Sequence, residues 1–202
     1  LNVIPNGIPT ERYAPAEPRD FLLWLGRICP EKGVHIALEV AHRLEARLII
    51  VGPVHPYPEH LDYFSRQITP LLDDRRTYIG PVELKEKSLL LSRAQCLLIP
   101  SLVAETSSLV AMEALSSGTP VIAFRTGALP EIVDDGETGF IVDSAEEMAQ
   151  AVLRIDHVSR ACCRERAVAR FDSGRMIDDY LALYERMITR HFANACAPQE
   201  NL

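Results

Sequence analysis

Two acidic residues and a predicted helix start lie close together in the segment from residue 101 to residue 124. Glu105 falls in a polar loop, and Glu113 falls in the helix that follows, for which Ser107 and Ser108 are candidate N-caps. Backbone N–H groups at a helix N-terminus, together with the positive end of the helix dipole, favour a bound anion such as phosphate. The segment therefore predicts an anion site that needs further positive charge from elsewhere in the chain.

The spacing of the two acids restricts the chemistry that they could share. Eight positions of ideal helix would separate Glu105 from Glu113 by about 12 Å, whereas the paired carboxyl groups of glycosidases lie roughly 5 to 9.5 Å apart. Separated acids suit one long ligand with hydroxyl groups at both ends, such as a nucleotide sugar. The alternative is that both acids are solvated charges on a helix and the loop before it.

Two cations in another loop could supply the positive charge. Arg27 and Lys32 follow the first predicted strand, in a chain whose formal net charge is -7. An arginine can bind one phosphate with two hydrogen bonds, while a lysine adds a mobile point charge. The alternative is a pair of surface charges that Glu31 partly neutralises. The hypothesis is a locally built diphosphate site.

Glycines end three predicted strands, at Gly26, Gly52 and Gly80. They mark tight turns, although glycine also lets a ligand approach the backbone. The string GRICPEKG is not a Walker loop, because it lacks the glycine before the lysine, and no GxGxxG follows a strand, which disfavours a nicotinamide or flavin dinucleotide. Residues 127–131, GALPE, are interpreted as a turn and helix cap, with backbone N–H groups facing the ligand as the alternative.

Composition predicts a single globular unit and excludes several functional classes. At 202 residues, with 48% hydrophobic and 24% charged residues, one domain is the simplest count. The negative charge argues against a general nucleic-acid or anionic-membrane surface, and no apolar run approaches the roughly 18 residues of a membrane span.

The cysteines and histidines give little support to a metal site. The five cysteines show neither metal-ligand nor disulfide spacing, so reduced thiols in a cytoplasmic compartment are expected. No HExxH occurs among the six histidines. His55 and His60 flank a proline-rich turn and are interpreted as surface histidines, and Cys29 is interpreted as a small side chain in a tight loop.

Apolar runs alternate with helical patterns along the whole chain. Strands are predicted at residues 20–26, 47–52, 76–80, 95–100, 121–124 and 140–142. Helices are predicted at residues 34–46, 61–72, 83–94, 129–133, 145–155, 159–171 and 173–192. The helix after Ser107 and Ser108 carries Leu109, Met112, Ala114 and Leu115 and ends at the Gly118-Thr119-Pro120 turn. This alternation predicts a Rossmann-like α/β fold: a doubly wound, mostly parallel sheet of about six strands flanked by helices. The loops at residues 27–33, 81–83 and 101–108 then meet at the carboxyl edge of the sheet, where ligands bind in such folds.

Three strings carry a resemblance to a known family. In order and spacing, GRICPEKG, AETSSLVAMEALSSGTPVIA and GALPEIVDDGETGFIV closely resemble the C-terminal half of retaining glycosyltransferases of family 4, which have the GT-B fold. The opening LNVIPNGIP resembles the segment that joins the two halves of such enzymes. The resemblance implies an interdomain linker at residues 1–18, a donor-binding domain at residues 19–192, a frayed tail at residues 193–202, and an N-terminal acceptor lobe absent from this chain.

The resemblance also implies a role for each candidate residue. Arg27 and Lys32 would hold the diphosphate of a nucleoside-diphosphate sugar and stabilise the departing charge. Glu113 would bind the ribose hydroxyls and Glu105 the donor sugar, so that Arg27, Lys32 and Glu105 form the catalytic set. The remaining expected donor contacts are Gly26, Gly80, Val82, Thr106, Ser107, Ser108 and Leu109. Transfer would retain the anomeric configuration and need neither a metal nor a cofactor.

One departure from the family pattern and several alternatives stay open. Where the family often has a Gly-Phe-Gly-like run, this chain has Thr106, Ser107 and Ser108, which bears on the choice of sugar. The acceptor would be a sugar or a lipid-linked sugar, and the location cytoplasmic, with peripheral membrane association through the missing lobe left open. The alternatives are a non-catalytic lobe that binds a sugar nucleotide or a protein partner, and a GT-B-like epimerase or phosphorylase.

Overall fold

Six short strands form one sheet in which every neighbouring pair is parallel. The structure is a computed structural model that describes residues 3–195. The strands are β1 (Leu22–Leu25), β2 (Leu48–Val51), β3 (Arg76–Tyr78), β4 (Cys96–Ile99), β5 (Val121–Phe124) and β6 (Gly139–Val142). Their order is β3-β2-β1-β4-β5-β6. The predicted fold class is confirmed, and the sheet is wholly parallel.

The inner strands are apolar because helices cover both faces of the sheet. All four residues of β4 and of β5 are buried, and so are the first three of β1. Strands buried on both faces read as continuous apolar runs, which is why the sequence reveals them. In register, Leu22 pairs with Leu48 on one side and with Cys96 on the other. Strands β1 to β4 are shorter than the predicted runs, since residues at the predicted ends already belong to loops, whereas β5 has the predicted bounds and β6 begins one residue earlier than predicted.

Eight α-helices connect the strands and follow the last of them. They are α1 (Val34–Arg43), α2 (Pro58–Tyr63), α3 (Leu84–Arg93), α4 (Leu109–Ser116), α5 (Leu129–Ile132), α6 (Ala145–Val152), α7 (Arg160–Phe171) and α8 (Ser173–Ala195), counted over the described residues. Helix α1 ends three residues before the predicted boundary, where Glu45 adopts a left-handed φ of 50°. Helix α8 runs past the predicted end at residue 192, and residues 196–202 lie outside the described part of the chain.

The segment before β1 packs against the domain, although proline and a turn signal predict only a linker or edge strand. The backbone N–H of Ile8 donates to the Phe171 carbonyl oxygen at 2.8 Å, and the N–H of Ser173 donates to the Ile8 carbonyl at 2.9 Å. Arg164 donates to the carbonyl oxygens of Thr10 and Tyr13. The segment before β1 is therefore joined to α7 and to the start of α8.

The order of the strands locates the place where a ligand would bind. The chain moves outward from β1 through β2 to β3, then returns to the other side of β1 for β4, β5 and β6. In parallel α/β sheets a crevice opens at such a reversal, beyond the carboxyl ends of the two central strands. The loops after β1 and β4 border this crevice, and they carry the predicted catalytic residues.

Candidate functional site

A cleft of 420 Å³ lies at this reversal and brings most of the predicted residues together. Seven of the eleven predicted residues line it: Gly26, Arg27, Lys32, Glu105, Ser107, Ser108 and Leu109. The aromatic ring of Trp24 and the apolar ends of β1 and β4 complete its wall. Thr106, Glu113, Gly80 and Val82 are not part of its lining.

The two loops are joined by an ion pair and by a backbone contact. Lys32 Nζ lies 2.6 Å from Glu105 Oε1, and both side chains are largely buried. Behind them the N–H of Leu102 donates to the Glu31 carbonyl oxygen at 2.8 Å. Gly33 permits this approach: it has a φ of 68°, and a Cβ there would collide with the Pro100 carbonyl. The cation and the carboxylate are thus held against each other in the described structure.

Arg27 differs from Lys32 in being exposed and unpaired. Its guanidinium lines the cleft and makes no ion pair or side-chain hydrogen bond with any residue from 3 to 195. The two cations therefore face one space, on the same side as the start of α4. A free guanidinium can bind an anion without first giving up a protein partner.

Helix α4 begins at the cleft without a side-chain cap. Ser108 is its N-cap residue and is buried, but its hydroxyl makes no capping hydrogen bond. The prediction of Ser108 as the N-cap residue is therefore confirmed, while the side-chain capping hydrogen bond that serine often makes is not formed. By contrast, Ser144 and Ser159 cap their helices in the expected way. The uncapped first turn of α4 leaves backbone donors directed at the cleft.

Gly127 holds Glu105 in place from behind. The N–H of Ala128 donates to the Glu105 carbonyl oxygen at 2.7 Å. Gly127 has a φ of 52°, and a Cβ there would collide with the backbone of Glu105. The sequence identifies residues 127–131 as a turn and helix cap, and the structure adds that this turn positions the acidic loop.

Glu113 is buried outside the cleft and has two strong partners. Its Oε1 accepts from the Tyr13 hydroxyl at 2.7 Å and from Lys87 Nζ at 2.7 Å. The pKa of the Tyr13 hydroxyl is raised well above its ordinary value, mainly by burial and secondly by the hydrogen bond to Glu113. Sequence reasoning missed both partners, since Tyr13 lies 100 residues away from Glu113 and no local pattern joins them.

The remaining predicted residues lie outside the lining of the cleft. Gly80 follows β3 with a φ of 77°, and its carbonyl oxygen accepts from the Gly52 N–H at 2.9 Å. Val82 is half-buried two residues later. Thr106 lines a second cavity of 540 Å³, which residues 3–6 help to close and which Ser107 also borders.

The structure contradicts the interpretation of His60 as a surface histidine. Only 7% of it is exposed, because α2 turns it inward against the loop after β1. Its Nδ1 has no hydrogen-bond partner within residues 3–195. Cys29 is fully buried in that loop, as a small side chain in a tight turn would be, and burial together with a hydrogen bond to Glu31 raises the pKa of its thiol to about 11.

Comparison with known proteins gives a family match and several relatives. The family model described as glycosyl transferases group 1 matches residues 19–156. The D-inositol 3-phosphate glycosyltransferase of Mycobacterium tuberculosis is 35% identical over 183 residues, which cover 84% of this chain and 38% of the relative. The chain therefore spans well under half the length of the curated relatives that it matches.

Solved structures share the fold described above. Sucrose-phosphate synthase from Thermosynechococcus elongatus superposes with a TM-score of 0.84 at 26% identity, over 94% of this chain and 53% of its own. HepE from Anabaena, solved with UDP-glucose, superposes with a TM-score of 0.78 at 21% identity, over 93% of this chain and 57% of its own. Within residues 3–195 no helix is long and apolar enough to cross a membrane.

Proposed function

Because the chain belongs to the group 1 glycosyl transferases, we propose that it is the donor-binding part of a retaining transferase that moves a hexose from a nucleoside-diphosphate sugar. The observation that carries this proposal is the cleft at the sheet reversal, where Arg27, Lys32 and the start of α4 surround one space. The name of the 35% identical relative supports a sugar-transfer reaction. The complex of HepE with UDP-glucose illustrates such a donor on the same fold.

In the proposed mechanism the diphosphate lies between the two cations and the first turn of α4. The Arg27 guanidinium binds a phosphate directly, since it has no competing partner among the described residues. Lys32 leaves Glu105 for a phosphate oxygen, which frees the carboxylate to accept hydrogen bonds from the sugar hydroxyls. As the bond to the sugar breaks, charge grows on the leaving diphosphate, and fixed donors already aimed there stabilise it. Positive side chains thereby take the part that a metal ion plays in other transferases.

The ribose and the base would extend from the cleft toward Glu113 and the loop after β3. Tyr13 and Lys87 hold Oε1 of Glu113, so the direction of the carboxylate is fixed before a ligand arrives. Its Oε2 is the oxygen that would accept from the ribose hydroxyls. Gly80 and Val82 would border the base, and backbone groups of residues 106–109 would contact the phosphate and sugar.

Under this proposal the acceptor site lies on a second lobe. The solved relatives cited above are nearly twice as long as the part that this chain matches. An apolar stripe on α8, formed by Ile177, Leu181, Tyr184 and Ile188, is more than half exposed at each position. Helices with such a face normally pack it against another element. We therefore propose a second lobe as partner, with little transfer by this chain alone. The proposed acceptor is a sugar or a lipid-linked sugar. A cytoplasmic location is proposed, in keeping with the four unbridged cysteines of the described residues.

Calorimetry with UDP, GDP and ADP tests the diphosphate site directly. In the double variant Arg27→Ala/Lys32→Ala, two charge-assisted contacts of about 1.5–3 kcal/mol each are lost, which corresponds to a loss of affinity on the order of 100-fold or more. The matched control is Arg19→Ala/Arg47→Ala, which removes two exposed arginines at the opposite edge of the sheet. Unchanged nucleotide affinity in the first variant would refute the diphosphate role.

A further inference from the structure

Two side chains of the loop that carries Arg27 and Lys32 meet a histidine of α2, and all three are of metal-binding type. Ligand atoms of Cys29, Glu31 and His60 all lie within 4.8 Å of one another. In a tetrahedral zinc site, bonds of about 2.0–2.3 Å place neighbouring ligand atoms roughly 3.5 Å apart. Side-chain movements of about an ångström would therefore bring the three atoms to bonding positions around one ion.

The state of His60 is a second observation that points to a ligand. The residue is only 7% exposed, and its buried Nδ1 has no hydrogen-bond partner in the described chain. A buried polar atom without a partner is costly and uncommon in native proteins. The Cys29 thiol interacts with Glu31 and makes a long contact of 3.5 Å to the Arg27 carbonyl, and neither contact supplies a partner for His60 Nδ1. A cation bound by the imidazole would remove this cost.

We propose that Cys29, Glu31 and His60 bind one zinc-type divalent ion, with water as the fourth ligand. A thiolate, an imidazole and a carboxylate together match the ligand preferences of Zn²⁺, whereas Mg²⁺ and Ca²⁺ prefer oxygen alone. Glu31 is half-buried, so solvent can reach the fourth position from its side. No member of this cluster lines the cleft, so the ion does not enter the proposed diphosphate site.

Such an ion would join two separate elements of the fold. Cys29 and Glu31 belong to the turn between Arg27 and Lys32, and His60 belongs to α2. Binding would fix this turn to the helix and so restrict the positions of the two cations. This positioning role, unlike the metal site itself, rests on the proposed function.

Metal titration of the tag-free, chelator-treated and reduced chain tests the site without any nucleotide. We expect one Zn²⁺ per chain, and with Co²⁺ as a probe a thiolate-to-cobalt charge-transfer band. Cys29→Ala should abolish this band, and His60→Gln and Glu31→Gln should each weaken Zn²⁺ binding at least tenfold. Cys162→Ala, which removes a half-exposed cysteine on α7, is the matched control and should retain full binding.

The outcomes separate the metal site from the nucleotide site. Absence of stoichiometric binding, or full affinity and an intact band in Cys29→Ala, overturns the proposal; if His60→Gln does not fold, Cys29→Ala and Glu31→Gln still decide. Zn²⁺ should also raise UDP affinity in the native chain and not in Cys29→Ala. Zinc binding that leaves UDP affinity unchanged refutes the positioning role alone, and failure to bind UDP at all refutes the proposed function while leaving the metal readout intact.

Discussion

Removing the Glu113 carboxylate should destabilise the fold chiefly through Tyr13. Tyr13 is only 3% exposed, so Glu113→Ala leaves the Tyr13 hydroxyl as a buried donor without a partner. An orphaned buried group costs about 1–3 kcal/mol. The Lys87 ammonium is less important, because its side chain is 24% exposed and can turn to water. Its lost ion pair adds at most about 1 kcal/mol.

A double-mutant cycle measures this contribution. Tyr13→Phe removes the donor itself, so Glu113→Ala should cost about 1–2 kcal/mol less in the Tyr13→Phe background than in the native chain. Urea unfolding provides the assay, because Trp24, the single tryptophan, is buried in β1 and reports on the core. Equal costs in the two backgrounds would refute the argument that an orphaned hydroxyl is the main loss.

Glu113→Gln is the variant that separates folding from ligand binding. An amide oxygen can still accept hydrogen bonds from Tyr13 and Lys87, so the free energy of unfolding should fall by only about 1 kcal/mol. If Glu113 contacts ribose, the same variant should weaken UDP binding more than it weakens pyrophosphate binding. Equal losses for the two ligands would count against the ribose contact.

Three further predictions concern the supports of the site. Glu105→Gln releases Lys32 from its ion pair, so pyrophosphate should bind more tightly while the advantage of UDP-glucose over UDP shrinks; calorimetry with the three ligands measures both effects. Gly127→Ala should destabilise the chain by more than about 1 kcal/mol through its left-handed φ and its clash with the Glu105 backbone, whereas Gly136→Ala, at a φ of 79° with open space around it, should cost less in the same urea assay. Burial lowers the pKa of His35 in the folded chain. As pH drops below about 6.5, His35 therefore takes up a proton more readily in the unfolded chain than in the folded chain. The free energy of unfolding should fall as pH drops from about 6.5 through the lower pKa of the folded state. That fall should be smaller in His35→Gln, and identical pH profiles would contradict it.

The sheet was predictable because its physical cause is local in sequence. The four inner strands β2, β1, β4 and β5 are largely buried, and this leaves apolar runs that end at glycine, proline or a polar residue. Helix ends were less predictable, since they depend on local changes of backbone conformation that the helix propensities of the residues do not determine. Helix α2 shows this: the predicted helix at residues 61–72 starts earlier, at Pro58, and continues through a wide turn over Phe64–Ile68. The path of that helix decides where His60 lies.

The cleft was predictable only in outline. The rule that ligands meet the carboxyl ends of parallel strands brings Arg27, Lys32 and Glu105 to one place, and the structure locates them there. The partners of Glu113 and the burial of His60 were beyond reach. Both depend on how distant segments pack, and the contact of Tyr13 with Glu113 joins residues that no sequence period relates.

The pairing of charges in the site has a consequence for how a donor would bind. Each of the two acids proposed to contact the donor already has a cation, Lys32 at Glu105 and Lys87 at Glu113, each within 2.7 Å. Under the proposed function, binding at Glu105 is then an exchange of partners, whereas Arg27 and the Oε2 atom of Glu113 make contacts that require no exchange. A diphosphate that takes Lys32 leaves the Glu105 carboxylate without its partner in a largely buried place, unless sugar hydroxyls replace it. The intact sugar nucleotide should therefore bind better than the nucleotide alone, by the amount that these hydroxyls restore.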